Sequence, residues 1–115
     1  MKKLFVLLFI AFFPLVGQAQ KKVEKTINVS AVCGMCKERI EKALDVKGVV
    51  FCEYTVESQE LFVVYKPKKI EWSSIEDLIL EAGHDIGEKK ANDESYGALD
   101  GCCKYRSQEV LDAHK

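Results

Sequence analysis

Two histidines, two prolines and one tryptophan are all that the 115 residues hold of those types. The histidines are His84 and His114, and no serine–histidine–acid set can be assembled around either, so hydrolytic chemistry lacks its parts. His114 lies in the terminal tail and reads as solvated. Pro14 falls in the N-terminal apolar run, which leaves Pro67 as the one proline of the remaining chain, far from any cysteine. No basic run interleaved with aromatics occurs, and the formal net charge is -1, which excludes a nucleic-acid footprint. Acidic and basic residues are mixed, as on an ordinary solvated surface. No segment is low in complexity and no repeat is visible. The longest apolar run, Leu4 to Val16, is about 13 residues, short of the roughly 20 that span a bilayer.

That run follows Lys2 and Lys3 and leads into Gly17-Gln18-Ala19, with small residues where a signal peptidase reads. The pattern predicts a signal peptide over residues 1–19, cut after Ala19. The mature chain of about 96 residues is expected to be secreted or periplasmic, without stable membrane insertion. It is long enough for one small domain with a modest core.

Hydrophobic spacing then predicts the elements. Val23 to Val29 alternates as a half-buried strand, with Val23, Ile27 and Val29 on one face. Ser30 to Met35 reads as a loop. Cys36 to about Val46 reads as a helix with Ile40, Ala43 and Leu44 inward and a Glu38–Lys42 i,i+4 pair. Gly48 ends that unit. Strands at Val49–Val56 and Leu61–Tyr65 are joined by a polar hairpin. Val50, Cys52, Tyr54 and Val56 share one face of the first of these, expected to meet the helices and to make Cys52 a buried, inert thiol. Pro67 stops the second.

A capping box of Ser73 and Glu76 opens another helix, carrying Ile75, Leu78, Ile79 and Ala82 and closed by Gly83. His84 to about Glu88 reads as a short last strand. The order is βαββαβ: an α+β, ferredoxin-like sandwich with a four-stranded antiparallel sheet and two helices on one face. Beyond it lies a C-terminal cysteine-containing extension over residues 90–115, with a short helix at Asp93–Leu99 and a turn at Asp100-Gly101.

Cys33 and Cys36 sit at the junction between the first strand and the first helix. A glycine-containing bend brings both sulfurs together, and the unpaired N–H groups and positive dipole end of a helix favour thiolate over thiol. Two such thiolates suit a soft metal ion or disulfide exchange.

From Thr26 to about Lys89 the chain resembles the heavy-metal-associated domain family, which includes copper chaperones, the N-terminal domains of copper-transporting ATPases and a periplasmic mercury-binding protein. The resemblance rests on the CxxC opening helix one, Ile40-Glu41-Lys42-Ala43-Leu44 behind it, Gly48-Val49, Leu61-Phe62-Val63-Val64-Tyr65, and Glu81-Ala82-Gly83-His84-Asp85. It assigns residues 20–89 to one such domain. It implies a binding protein rather than an enzyme, with Cys33 and Cys36 holding a soft ion: Cu(I) first, Hg(II) or Zn(II) behind it. It further implies delivery to or from a metal-transporting membrane ATPase or another thiol-bearing carrier. The same pair as a thiol–disulfide redox centre is the alternative, although the chain is short for a thioredoxin-like fold.

The sequence departs from the family in three places. Ser30-Ala31 replaces the usual Gly-Met before the first cysteine, so the methionine that props the loop is missing. Met35 then has three readings: an inward substitute prop, a solvent-facing side chain, or a weak thioether ligand. His84 stands where an aromatic residue often follows the glycine, either as a thiolate partner or nitrogen ligand or as a partly exposed turn residue. In the extension, Cys102 and Cys103 either add thiolate ligands, pair on oxidation, or leave one cysteine packed as a small hydrophobe. A vicinal disulfide between them would be strained. Tyr105 and Arg106 read as surface or packing groups.

Overall fold

A computed structural model describes residues 21–113. The expected signal peptide and His114 lie outside these residues. The elements run β1 (Val23–Asn28), α1 (Gly34–Ala43), β2 (Val49–Thr55), β3 (Glu60–Tyr65), α2 (Trp72–Glu81), α3 (Asp93–Gly97), a 3-10 turn (Gly101–Cys103) and α4 (Gln108–Ala113).

The sheet is antiparallel, with β3 between β1 and β2. It has three strands among the described residues, not the four expected. The segment after Gly83 forms no ladder with β1: it makes an isolated bridge from Ile86 to Val29, just past the strand's end, and Ile86 also bridges back to Lys89. The physical reason is this tight turn. Ile86 N–H bonds Lys89 and Gly87 N–H bonds Asn28, so the chain curls away before a ladder can extend.

One face of the sheet carries Leu61, Val63 and Tyr65 from β3, all buried. Opposite them in register stand Ile27 and Val23 of β1 and Tyr54, Cys52 and Val49 of β2. The expected inward set of β2 included Val50, which instead is exposed. A β-bulge explains the change: the register slips between Val49 and Phe51, so Val49 takes the inward position and Val50 is the extra residue. Cys52 keeps its inward place opposite Val63 but is half-buried rather than buried. On the outer face Phe51 packs against Phe62, with centroids 6.1 Å apart.

Ile40 and Leu44 of the first helical segment and Ile75 and Ile79 of α2 lie over the inner face, fully or almost fully buried. Each such side chain contributes about 1.5–3 kcal/mol by leaving water. The helix starts differ from expectation. α1 begins at Gly34, with Cys33 as its extended N-cap residue, and its i,i+4 ion pair is Lys37–Glu41 at 2.7 Å rather than Glu38–Lys42. The second helix begins at Trp72 after Glu71, with no side-chain cap bond. The predicted capping box is therefore absent, and Glu76 instead pairs with Lys89 at 2.9 Å.

The extension is part of the packed body. Leu99, Cys103 and Tyr105 belong to the core cluster. Gly83 has φ +102°, and a Cβ there would stand 2.9 Å from Leu99 Cδ2 and 2.8 Å from the Ser95 carbonyl oxygen. Its glycine serves both the helix end and the close approach of the tail.

Candidate metal centre

The bend ahead of α1 is held from below by three side chains. The carbonyls of Val29, Ser30 and Ala31 each accept one hydrogen bond. Tyr54 Oη donates to Val29 at 2.6 Å, His84 Nδ1 to Ser30 at 2.8 Å and Gln59 Nε2 to Ala31 at 2.6 Å. This network takes the place of the missing methionine prop. Met35 does not: it is 48% exposed, which overturns its inward reading. Ala31 itself is fully buried.

Cys33 ends this supported segment, and its carbonyl accepts from the N–H groups of Cys36 and Lys37 at 3.1 and 3.2 Å. Cys36 therefore lies in the first helical turn. The two sulfurs are 3.4 Å apart. A third sulfur joins them from the far end of the chain, with Cys103 Sγ 3.4 Å from Cys33 Sγ. The three sulfurs lie within 4.8 Å of one another, with Cys36 and Cys103 buried and Cys33 partly exposed. All five cysteines are free thiols.

Cys103 is delivered by a sequence of anchors. The Asn92 side chain caps α3 by accepting from Ser95 N–H at 2.7 Å. Asp100 then accepts from Cys103 N–H through its carbonyl at 2.8 Å and from Arg39 Nη2 through its carboxylate at 3.1 Å. Tyr105 Oη donates to the Gly83 carbonyl at 2.7 Å. Arg106 reaches Asp85 at 2.8 Å and the Ala91 carbonyl at 2.8 Å. Tyr105 and Arg106 are thus the clasp of the tail, a role their sequence context did not signal.

The electrostatics favour one thiolate in the free protein. Burial works against ionising Cys33, but the backbone N–H of Cys36, the thiols of Cys103 and Cys36, and the backbone N–H of Met35 outweigh it and bring Cys33 down to about 7. Burial pushes the Cys36 thiol up. Burial, with the neighbouring sulfurs, pushes Cys103 up to about 12 against the pull of Arg39. Cys33 is thus the first of the three sulfurs to ionise. Arg39 Nη1 is buried beside this group without an acceptor in hydrogen-bond geometry, and the Cys103 sulfur is the group of the cluster that interacts with its guanidinium.

His84 is fully buried, not partly exposed, and it stacks on Tyr105 at 5.5 Å. It stands outside the three-sulfur group. Because its Nδ1 donates to Ser30, its Nε2 carries the lone pair, and that atom is buried without a partner. Cys102 is exposed, with its sulfur 3.5 Å from Met35 Sδ and 4.0 Å from Cys103 Sγ. Cys52 lies on the sheet, its sulfur 3.9 Å from the Glu41 carbonyl, and burial raises its pKa. That leaves it a protonated thiol apart from the cluster.

No protein-family profile matches the chain, and neither does any curated protein. Solved structures do. The CopZ metallochaperone is 30% identical, with a TM-score of 0.53, over 56% of this chain and 98% of that one. A solution structure described as a ZiaAN sub mutant is also 30% identical, with a TM-score of 0.53, over 59% and 99%. The water-soluble region of the P-type ATPase CopA from Bacillus subtilis is 25% identical, with a TM-score of 0.57, over 60% of this chain and 47% of that one.

Proposed function

The chain belongs to the heavy-metal-associated domain family, and on that premise we propose that it carries or scavenges a soft metal ion, Cu(I) ahead of Hg(II) and Zn(II). The observation that carries this reading is the convergence of Cys33, Cys36 and Cys103 at the start of α1. Thiolates select soft ions over magnesium or calcium. Three sulfurs bound at about 2.3 Å from a common ion stand roughly 3.8–4.0 Å apart, so sulfurs now 3.4 Å apart need only small side-chain shifts to receive it. Three sulfurs satisfy Cu(I) or Hg(II), whereas structural zinc takes four ligands. That ordering places zinc last.

The similarity to a metallochaperone and to an ATPase's soluble region supports a partner of the same kind, a metal-transporting membrane ATPase or another thiol-bearing carrier. Transfer proceeds by ligand exchange, with an incoming partner thiolate replacing one sulfur before the others let go. The N-terminal apolar run supports export, where the thiols must be kept reduced or metal-loaded against an oxidising surrounding. Among the described residues no helix is long and apolar enough to cross a membrane.

Disulfide exchange is the second reading, favoured by the lowered Cys33 thiol beside Cys36. Competitive titration of the reduced protein with Cu(I), Hg(II) and Zn(II), with ions counted by mass spectrometry, separates the two. X-ray absorption on the loaded protein should show three sulfur neighbours. An ion with no sulfur neighbour, or no stoichiometric binding at all, ends the metal reading and leaves exchange.

A further inference from the structure

The three inner sulfurs do not exhaust the sulfur at this end of the molecule. Met35 Sδ, Cys102 Sγ, Cys103 Sγ, Cys33 Sγ and Cys36 Sγ form a continuous series with successive separations of 3.5, 4.0, 3.4 and 3.4 Å. The series has an exposed end at Met35 and Cys102 and a more buried end at the inner three sulfurs. Met35 and Cys102 are exposed, Cys33 is partly exposed, and Cys103 and Cys36 are buried. Two sulfurs sharing one ion can stand at most about 4.6 Å apart when each bond is about 2.3 Å. Every step of the series lies within that span.

The outer pair has a composition suited to capture. A thioether binds soft ions without giving up a proton, and an exposed thiol is accessible to a metal complex arriving from solution. Neither Met35 nor Cys102 belongs to the core cluster, and both are exposed, Met35 in the first turn of α1 and Cys102 in the 3-10 turn of the tail. We propose that Met35 and Cys102 form an outer soft-metal site that takes up the ion first and passes it to Cys33, Cys36 and Cys103. The proposal rests on the inner three-sulfur reading.

The transfer conserves charge and oxidation state. On capture, Met35 and Cys102 bond the ion as the thiolate that delivered it lets go, and the Cys102 proton passes to that leaving thiolate. The ion next forms a bond to Cys103, whose proton leaves as that bond forms. The bonds to Met35 and Cys102 then break, and Cys102 takes up a proton in place of the one Cys103 gave up. The ion changes ligands only, and no electron is gained or lost.

The test is stopped-flow uptake of Cu(I), presented as its glutathione complex, by the reduced full chain, followed through the copper–thiolate absorption band. Cys102→Ser should slow uptake about tenfold and Met35→Leu severalfold, because associative exchange depends on an accessible sulfur at the point of attack. Final Cu(I) per chain and equilibrium affinity, measured against a competing chelator, should match wild type in both. Unchanged uptake rates overturn the outer site. A matching fall in equilibrium affinity also overturns it, by making Cys102 an inner ligand. Cys36→Ser serves as the separate control. If that variant still binds Cu(I) to the same stoichiometry and affinity, the inner site itself is wrong, whatever the rates of the other two.

Discussion

Cys33 and Cys103 are 70 residues apart in sequence, yet their sulfurs stand 3.4 Å from one another. A bend at a strand-to-helix junction and a tail turn folded back over it meet at this pair. The third sulfur is therefore only as well placed as the tail that carries it, and that tail is fastened at Asp100, Tyr105 and Arg106.

Replacing Cys103 by serine keeps the side chain's size but removes its softness. Sulfur neighbours counted by X-ray absorption should fall from three to two. Cu(I) affinity against a chromophoric chelator should fall at least about tenfold, or 1.4 kcal/mol. Cys36→Ser should do more and abolish stoichiometric binding. Equal affinity in Cys103→Ser and wild type would show that the third sulfur merely packs.

Arg39 reaches Asp100 through one guanidinium nitrogen and leaves the other, buried, without an acceptor beside Cys103. A buried N–H is costly to leave unpaired, whereas a charged acceptor makes its strongest hydrogen bond. Three thiolates around Cu(I) carry two net negative charges, and around a divalent ion only one. Arg39→Gln should therefore weaken Cu(I) binding, by about tenfold, more than it weakens Hg(II) binding. Arg39→Lys should recover part of the loss. A uniform drop for both ions, unrelieved by lysine, would point to a disturbed tail instead of lost charge.

The residues that were legible beforehand are those whose partners are near in sequence. The alternation of Val23 to Val29 and the spacing of Ile75 and Ile79 express periods of two and 3.6 within one element, and both elements are present. Cys33 and Cys36 announce themselves by spacing at a strand-to-helix junction. What stayed hidden depended on long-range geometry. The bulge at Val50 is set by pairing with β3, and the fourth strand is lost to a turn that bonds to itself. Only tertiary contact picks Cys103 over its neighbour Cys102, since adjacent residues of a turn point in different directions. The support of the bend was equally silent, because Tyr54, Gln59 and His84 approach Val29, Ala31 and Ser30 from separate segments.

Tyr105 offers a test of the clasp. Its hydroxyl donates to the Gly83 carbonyl at 2.7 Å, while Asp85 N–H donates to it at 3.0 Å. The hydroxyl also lies 3.0 Å from Asp85 Oδ1, so Tyr105→Phe removes all three contacts and leaves a buried carbonyl short of a donor. The cost expected is about 1–2 kcal/mol in denaturant unfolding. The loss should be local as well as global, because the tail joins the body through few buried groups. Cys103 should then react with a thiol reagent faster than unfolding of the whole domain allows. Protection of Cys103 equal to wild type would mean that Arg106 and Leu99 hold the tail without the tyrosine.

His84 makes the fold sensitive to mild acid. Burial lowers its pKa and Arg39 adds to that, against the raising effects of the Ser30 carbonyl and Asp85. The unfolded chain therefore takes up a proton near 6.5 while the folded one resists it. Stability that is complete above pH 6.5 should be lost as pH falls from 6.5 toward the lower folded value, by up to about 1.4 kcal/mol per pH unit. Glu41 and Asp85 are both held below their usual carboxylate values, so their own losses begin at more acid pH. His84→Gln retains an amide N–H for the Ser30 carbonyl but cannot titrate. Urea midpoints at pH 7, 6 and 5 should slope downward for wild type and stay nearly level for the variant. Parallel slopes would place the acid sensitivity elsewhere, whereas a flattened one would show that the buried imidazole beneath the cysteine bend must remain neutral for the fold to hold.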